Sequence, residues 1–399
     1  MTQLHAPTSA SERAMILDIW RGFALLGIAL ANFPEFSLWS FMSPSAQQAL
    51  PCSAADSAVH FFLYMCVDGK FYTLFSLLFG IGFSLILKRH SRGLFFRRML
   101  FLALIGFAHL MFLWSGDILL LYAVCGMLLL LFAPLSDRWL CRVAAALLLL
   151  PVGLDAVQEL TGSDWSAPFY RAWWQEADRQ GITEENFANW LVQADSYPKV
   201  FAFLRQGAIE RVWEFVSGHR LPKVLGLFVL GYLIGRNRLF ARLHQLPIAA
   251  VCRWSLGIGL PLSALYAWSS VTGHPFGATF HSLLYTLSVY PTALGYACAL
   301  ALLYQRSPVS RGWTLLASPG RMALTCYILQ TVAGIILFYG IGFALGCRLS
   351  LAMVQLVALA TFLLETVLAK WWFGHFRFGP LEWIWRMLTY GRRFPLRNA

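Results

Sequence analysis

The stretch Met15–Phe33, MILDIWRGFALLGIALANF, has the length and apolar content of a membrane-spanning helix, yet it carries Asp18, Arg21 and Asn32. At about 100° per residue, Asp18, Arg21, Leu25, Ile28 and Asn32 fall on one side of that helix. Two members of the stripe are apolar, so its polarity is concentrated at the two ends. Asn32 lies ~16 Å further along the axis than Arg21. Ionisable groups inside a span are costly and face a protein interior or a wet cavity. The stripe therefore predicts a helix that borders a solvated passage.

Working outward, the 399-residue chain is 58% hydrophobic and 13% charged, with a mean hydropathy of +0.61. That composition belongs to polytopic membrane proteins and excludes an ordinary soluble domain. Apolar runs centre on 15–33, 71–87, 96–114, 118–134, 143–160, 222–236, 252–270, 280–304, 317–338 and 350–372, the shorter ones needing tilt or interfacial extension. The net charge of +12 would suit nucleic acid, but the basic residues sit in alternate connections. With the N-terminus cytoplasmic, the inside segments hold Lys88, Arg89, Arg92, Arg97 and Arg98, then Arg138 and Arg142, then Arg236, Arg238, Arg242 and Arg253. Arg306, Arg311 and Arg321 follow, and the tail adds Lys370, Arg377, Arg386, Arg392, Arg393 and Arg397. Outside, 34–57 and 271–279 have no Lys or Arg, and 340–349 has only Arg348. This is the positive-inside pattern, so the basic excess signals topology and no nucleic-acid partner is expected.

The fold expected is all-α: a polytopic integral membrane protein of about ten transmembrane helices, with both termini cytoplasmic and one larger extracytoplasmic helical segment. Residues 1–14 read as a polar cytoplasmic tail, 15–372 as the transmembrane domain and 373–399 as a basic interfacial tail on the anionic leaflet. Within the domain, 161–221 is the extracytoplasmic segment, rich in aromatics and mixed charge, with helices lying on the outer surface. Thr183, followed by Glu184 and Glu185, reads there as a helix start. Residues 57–87 would reach ~46 Å as one helix, longer than the hydrocarbon core, and Asp68-Gly69-Lys70 is the natural break. GYLIG (231–235) and GFALG (342–346) have the small-xxx-small spacing of helix-packing faces. The first run has no small-residue cleavage site and further runs follow it, so no cleavable signal is expected. The eight cysteines show no CxxC pair and no His/Cys metal spacing, so no metal site is expected. Cys52 and Cys347 fall in outside loops, as two separate thiols or as a disulfide in an oxidising compartment.

Five strings together resemble the YeiB-like family of bacterial inner-membrane proteins, domain of unknown function 418. They are LDIWRGFALLGIALAN (17–32), DGKFYTLFSLLFGIGF (68–83), GFAHLMFLWSGDILLLYAVCG (106–126), SPGRMALTCYILQ (318–330) and FGPLEWIWRMLTYG (378–391). They run in order from the first span to the tail. That family is grouped on fold similarity with the transmembrane acyltransferases, which include the lysosomal heparan glucosaminide N-acetyltransferase and the bacterial acyltransferase-three proteins. The resemblance implies a bacterial inner-membrane protein that moves an acyl group from cytoplasmic acyl-CoA to an acceptor on the far side. One departure matters. The acyltransferase-three proteins carry a catalytic histidine about a dozen residues beyond the first-span Asp-x-x-Arg-Gly pattern; here that place is Asn32-Phe33. The glucosaminide enzyme also has Asn there and places its histidine in the following outer segment, where His60 is the nearest equivalent by spacing.

Each candidate residue carries a functional and a structural reading. Arg21 suits the phosphates of a CoA-like donor, with Asp18 orienting it, and the two suit a self-satisfied ion pair. Asn32 suits either a thioester or an interhelical hydrogen bond. His60 and His109 are the histidines near the outer side of the first four spans and are the candidate bases, with a structural hydrogen bond as the alternative. Asp117 would orient His109 or cap the fourth span. Asp68 and Lys70 flank a break where free backbone and charge meet a substrate, or punctuate a surface turn. Trp114 and Tyr122 read as belt or core aromatics beside a donor path. Arg321 would join Arg21 in a phosphate clamp or flank a span as an ordinary inside arginine. Gln330, nine positions on, lies on the opposite face of the ninth span as a weaker substrate contact or an interhelical bond.

Together these predict acyl-CoA as donor and, as acceptor, a sugar or other envelope metabolite. The partners expected are membrane lipids, acyl-CoA, the unidentified acceptor and, as an option, a second copy of the chain in a homodimer. A transporter or exporter of a small molecule is the rival, because a transport path needs the same polar groups without transferase chemistry.

Overall fold

The computed structural model describes residues 15–398. Among them every named element is helical, beside one isolated antiparallel bridge between Phe376 and Arg397. The first half comprises α1 (Met15–Phe36), α2 (Pro44–Gln48), α3 (Asp56–Phe62), α4 (Lys70–Leu87), α5 (Arg92–Phe112), α6 (Leu119–Phe132) and α7 (Asp137–Thr161). Next come α8 (Ala167–Arg179), α9 (Phe187–Gln193) and α10 (Tyr197–Ser217). The rest are α11 (Arg220–Arg236), α12 (Ile248–Val271), α13 (Gly277–Arg306), α14 (Arg311–Arg321), α15 (Ala323–Phe338), α16 (Leu351–His375) and α17 (Pro380–Tyr390).

Seven helical stretches are long and apolar enough to cross a membrane, and the bent pair α14–α15 makes an eighth if it is one span. The chain is therefore a multi-pass membrane protein by length and composition. Two of the apolar runs, 118–134 and 222–236, give the shorter helices α6 and α11, of 14 and 17 residues. The run 317–338 is not one straight span: it bends by 80° between Arg321 and Ala323. The Ser318-Pro319-Gly320 string precedes that bend, and proline and glycine punctuate helices.

α1 is the hub, packed against α4 on one side and against α14, α15 and α16 on the other. Two small-residue seams set the spacing. A Cβ on Gly320 would overlap the carbonyl of Asp18, and one on Gly22 would overlap the carbonyl of Leu316, so α1 and α14 touch backbone to backbone. Likewise a Cβ on Gly80 would overlap the carbonyl of Phe228, and one on Gly231 that of Leu77, which seats α4 on α11. Gly80→Val is expected to cost about 3 kcal/mol by overpacking that seam. Thermal unfolding in detergent reads it out, with Gly82→Ala as the control, because a Cβ on Gly82 meets nothing within 4 Å.

GFALG (342–346) is not a helix face. It folds back on the end of α15, where Phe343, Leu345 and Gly346 donate to the carbonyls of Ile336, Leu337 and Phe338 at 2.7–3.0 Å. The break at 68–70 is present: a π-turn at Leu63–Val67 ends at Asp68, and Gly69 sits at φ +73° before α4 begins. The 161–221 segment forms α8, α9 and α10 and docks onto the bundle, Tyr197 donating to the carbonyl of Phe112 at 2.7 Å. Thr183 does not start a helix directly. It exchanges hydrogen bonds with Asn186 across a turn (2.9 and 3.4 Å), and α9 begins at Phe187. Cys52 and Cys347 are separate thiols, Cys347 donating to the carbonyl of Ala188 at 3.2 Å.

Candidate functional site

One cavity of about 1120 Å³ runs through the bundle along α1. Its two ends are set by topology. The N-terminal side of α1, the C-terminal side of α4, the start of α5, the end of α11, the α14–α15 bend and the tail all meet at one end. The C-terminal side of α1, the start of α4, the α5–α6 turn and the α10–α11 junction meet at the other.

The first end is strongly basic. Arg21, Lys88, Arg89, Arg98, Arg238, Arg321, Arg377 and Arg386 line it, against Glu382 as the one carboxylate on its wall among the described residues. Arg21 also holds Asp18 at 2.7 Å, the ion pair of the structural reading, and its side chain lines the cavity. Arg98 stacks 3.6 Å above the Trp385 ring, and Arg321 lies 3.7 Å above Phe373, which aligns planar guanidinium groups on aromatic faces. The tail forms part of this end. α17 turns under the bundle, Trp385 donating to the carbonyl of Arg98 at 2.9 Å and the Tyr390 hydroxyl meeting His90 at 3.1 Å. Glu382 accepts the N–H groups of Leu324 (2.7 Å) and Thr325 (3.1 Å), capping the half-helix α15 at the bend.

The middle is an apolar shaft lined by Ile28, Phe75, Phe79, Leu102 and Leu121. Tyr122 interrupts it, its hydroxyl sharing a 2.6 Å hydrogen bond with Ser76. Asn32 and Trp114 lie on the wall beyond, then Glu35, Asp68, Arg211 and Arg220 at the second end. There Arg211 of α10 donates to the carbonyls of Asp117 (2.9 Å) and Gly116 (2.7 Å) and pairs with Glu214, so the 161–221 segment pins the α5–α6 turn.

Of the residues singled out from sequence, Arg21, Asn32, Asp68, Trp114, Tyr122 and Arg321 line this cavity. The others do not. Both His109 ring nitrogens are taken, Nδ1 by Asp117 at 2.9 Å and Nε2 by the Thr331 hydroxyl at 3.0 Å, and the side chain is 1% exposed. Asp117 serves both of its sequence-derived roles, orienting His109 and accepting the N–H of Leu120 at 2.8 Å at the start of α6. His60 packs between Trp39 and Tyr64. Lys70 is fully buried, donating to the carbonyl of Tyr64 at 2.7 Å with Tyr266 below it at 5.0 Å, so it is no surface punctuation. Gln330 donates to Glu365 at 2.9 Å between α15 and α16. The bend separates it from Arg321, so the two do not share one straight helix as expected.

Sequence reasoning missed Glu35, Arg220, Arg211 and Glu210. Glu35 was legible: fourteen residues past Arg21 it returns to within about 40° of the same face, and Pro34 does not end the helix. The α10 residues had no local signal, because they reach the site only through docking. Beside the main cavity lies a pocket of about 220 Å³ lined by Glu35, Glu210, Glu214, Arg211, Phe41, Trp114 and Tyr339 among others. Burial, then the Glu214 and Glu35 carboxylates, hold the Glu210 carboxyl well above the usual range, against the pull of Arg211. A raised acid contributes stability that is complete below its ordinary value of 4.5 and is lost as pH rises through the folded value. Glu210→Gln is therefore expected to melt higher than the parent at pH 8 and equally at pH 4. Melting curves across that range check it.

The family profile described as "Protein of unknown function (DUF418)" matches residues 234–392. A protein named YeiB from Escherichia coli (strain K12) is 33% identical, with 95% of this chain and 96% of that protein covered. A protein from Bacillus acidopullulyticus described as an uncharacterized 39.9 kDa protein in the amylase 3' region is 30% identical, with 98% and 97% covered. YxaH from Bacillus subtilis (strain 168) is 28% identical, with 96% of each chain covered. No solved structure gives a significant match.

Proposed function

The chain belongs to the DUF418 family, and within it we propose that this protein transfers an acyl group from an acyl-CoA donor held in the long cavity to an acceptor that arrives at the opposite end. The observation that carries the reading is the cavity's polarity: eight cations at one end, then an apolar shaft, then a polar end. That sequence of walls matches a molecule with phosphates, a long thin arm and a reactive thioester. Arg21, Arg98, Arg321 and Arg386 would hold the phosphates by forked, charge-assisted hydrogen bonds. The arm would run past Ile28 and Phe79, bringing the thioester near Asn32, ~16 Å from Arg21 along the helix. In this reading the basic end faces the cytoplasm of a bacterium and the protein sits in its inner membrane, in line with the positive-inside pattern.

The test is titration calorimetry of acetyl-CoA into the purified protein. Saturable binding that weakens as salt is raised is expected, because the contacts are ionic. No binding overturns the donor assignment. Flux of a small molecule through proteoliposomes without any acyl donor would select the transporter instead.

A further inference from the structure

We propose that the small pocket beside the polar second end is the acceptor site, that it takes a small primary amine in its protonated form, and that Glu35 is the base that deprotonates it. This rests on the reading that the large cavity holds the acyl donor.

Four residues, Glu35, Trp114, Gly116 and Arg211, line both the pocket of about 220 Å³ and the large cavity. Glu35 therefore stands where a donor in one and an acceptor in the other would meet. Beside Arg211, the pocket wall carries three acidic side chains, with the Ser40, Ser115 and Tyr339 hydroxyls and the Trp114 indole N–H as its neutral polar groups. Each nitrogen of the Arg211 fork is already spent, on Glu214 and on the carbonyls of Asp117 and Gly116. The carboxyl groups of Glu35 and Glu210 receive no hydrogen bond from any described residue. Arg220 contributes positive potential at Glu35, but it faces the large cavity and is not on the pocket wall. Three acidic side chains, Glu35, Glu210 and Glu214, thus face one committed guanidinium, and Trp114, Phe41 and Tyr339 add aromatic faces. Carboxylates and aromatic faces both recognise an ammonium group with N–H donors, and both reject an anion.

The step balances. The ammonium gives one proton to the Glu35 carboxylate, and the freed nitrogen pair attacks the thioester carbonyl carbon. The C–N bond forms and the C–S bond breaks, its electron pair going to sulfur. The second nitrogen proton passes to the thiolate, leaving an amide, the CoA thiol and a proton on Glu35 that is released to water.

Three ring-matched probes test this on the full chain in a neutral maltoside detergent: cyclohexylamine, cyclohexanol and cyclohexanecarboxylate. The amine is expected to raise the melting temperature, the alcohol to raise it less and the carboxylate not at all, because binding to the folded state stabilises it. Glu210→Gln should remove most of the amine shift. With acetyl-CoA and cyclohexylamine, Glu35→Gln should lower CoA thiol release about 100-fold or more while acetyl-CoA still binds. Glu35→Asp, a milder change, should lose about 10-fold and serves if the glutamine variant fails to fold. A carboxylate that stabilises as well as the amine, or a folded Glu35→Gln variant that releases thiol at the parent rate, overturns the proposal. If acetyl-CoA itself does not bind, the donor reading fails, and the probe melting series still decides the charge class of the pocket.

Discussion

Replacing Arg321 and Arg386 together by glutamine is expected to weaken acetyl-CoA binding by about 100- to 10,000-fold. Both line the basic end of the long cavity. A hydrogen bond to a charged group contributes about 1.5–3 kcal/mol, and two of them convert to that range at about 1.4 kcal/mol per decade. The guanidinium groups also rest on Phe373 and Phe378, so glutamine, which keeps a polar stem without the charge, is the milder probe of anion binding. Arg253 is exposed on α12 and is not part of the wall, so Arg253→Gln should bind like the parent. Calorimetry at low and moderate salt reads all three. A double variant that binds like the parent would remove the phosphate clamp from the proposed function.

His109→Ala is expected to have the largest effect on stability, a loss of about 3 kcal/mol or more, with acetyl-CoA binding retained by the molecules that stay folded. The ring ties α5 to Asp117 and to Thr331 of α15, and all three side chains are buried. Its removal leaves Asp117 Oδ1 and the acceptor side of the Thr331 hydroxyl unbonded, each costing about 1–3 kcal/mol, while Asp117 keeps the Leu120 N–H and Thr331 the carbonyl of Tyr327. The same turn is held by Arg211, so the loss also loosens α10. Melting temperature and donor affinity, measured side by side, separate this from catalysis. A variant that melts like the parent but releases no CoA thiol would restore His109 as a base.

How far the chain could be read from sequence differs along α1 itself. Arg21, Ile28 and Asn32 turn to the cavity as their spacing predicts, yet Leu25 from the same stripe is fully buried in the core. A periodic stripe marks which side chains share a direction. It does not say whether a solvated passage or a neighbouring helix lies there, and α1 has neighbours on both sides. Lys70 and His109 could not be assigned from sequence for a related reason. Their partners, Tyr64, Tyr266 and Thr331, are a matter of tertiary contact, and a lone polar residue in an apolar run has the same appearance whether it is satisfied or waiting for a substrate.

Apolar run length and the distribution of Arg and Lys were enough, without coordinates, to determine a multi-pass helical membrane protein, because burial in hydrocarbon demands long apolar helices and basic loops resist crossing. The tertiary structure alone decided that basic residues from α1, the α4–α5 region, the α11–α12 connection, the α14–α15 bend and the tail converge on one cavity end, and that α10 brings its acids beside Glu35. Charge counted along a chain is a one-dimensional quantity. Which charges face one another depends on helix bends such as the 80° turn at Met322 and on glycine seams that set helix spacing, and these arise only when the helices pack.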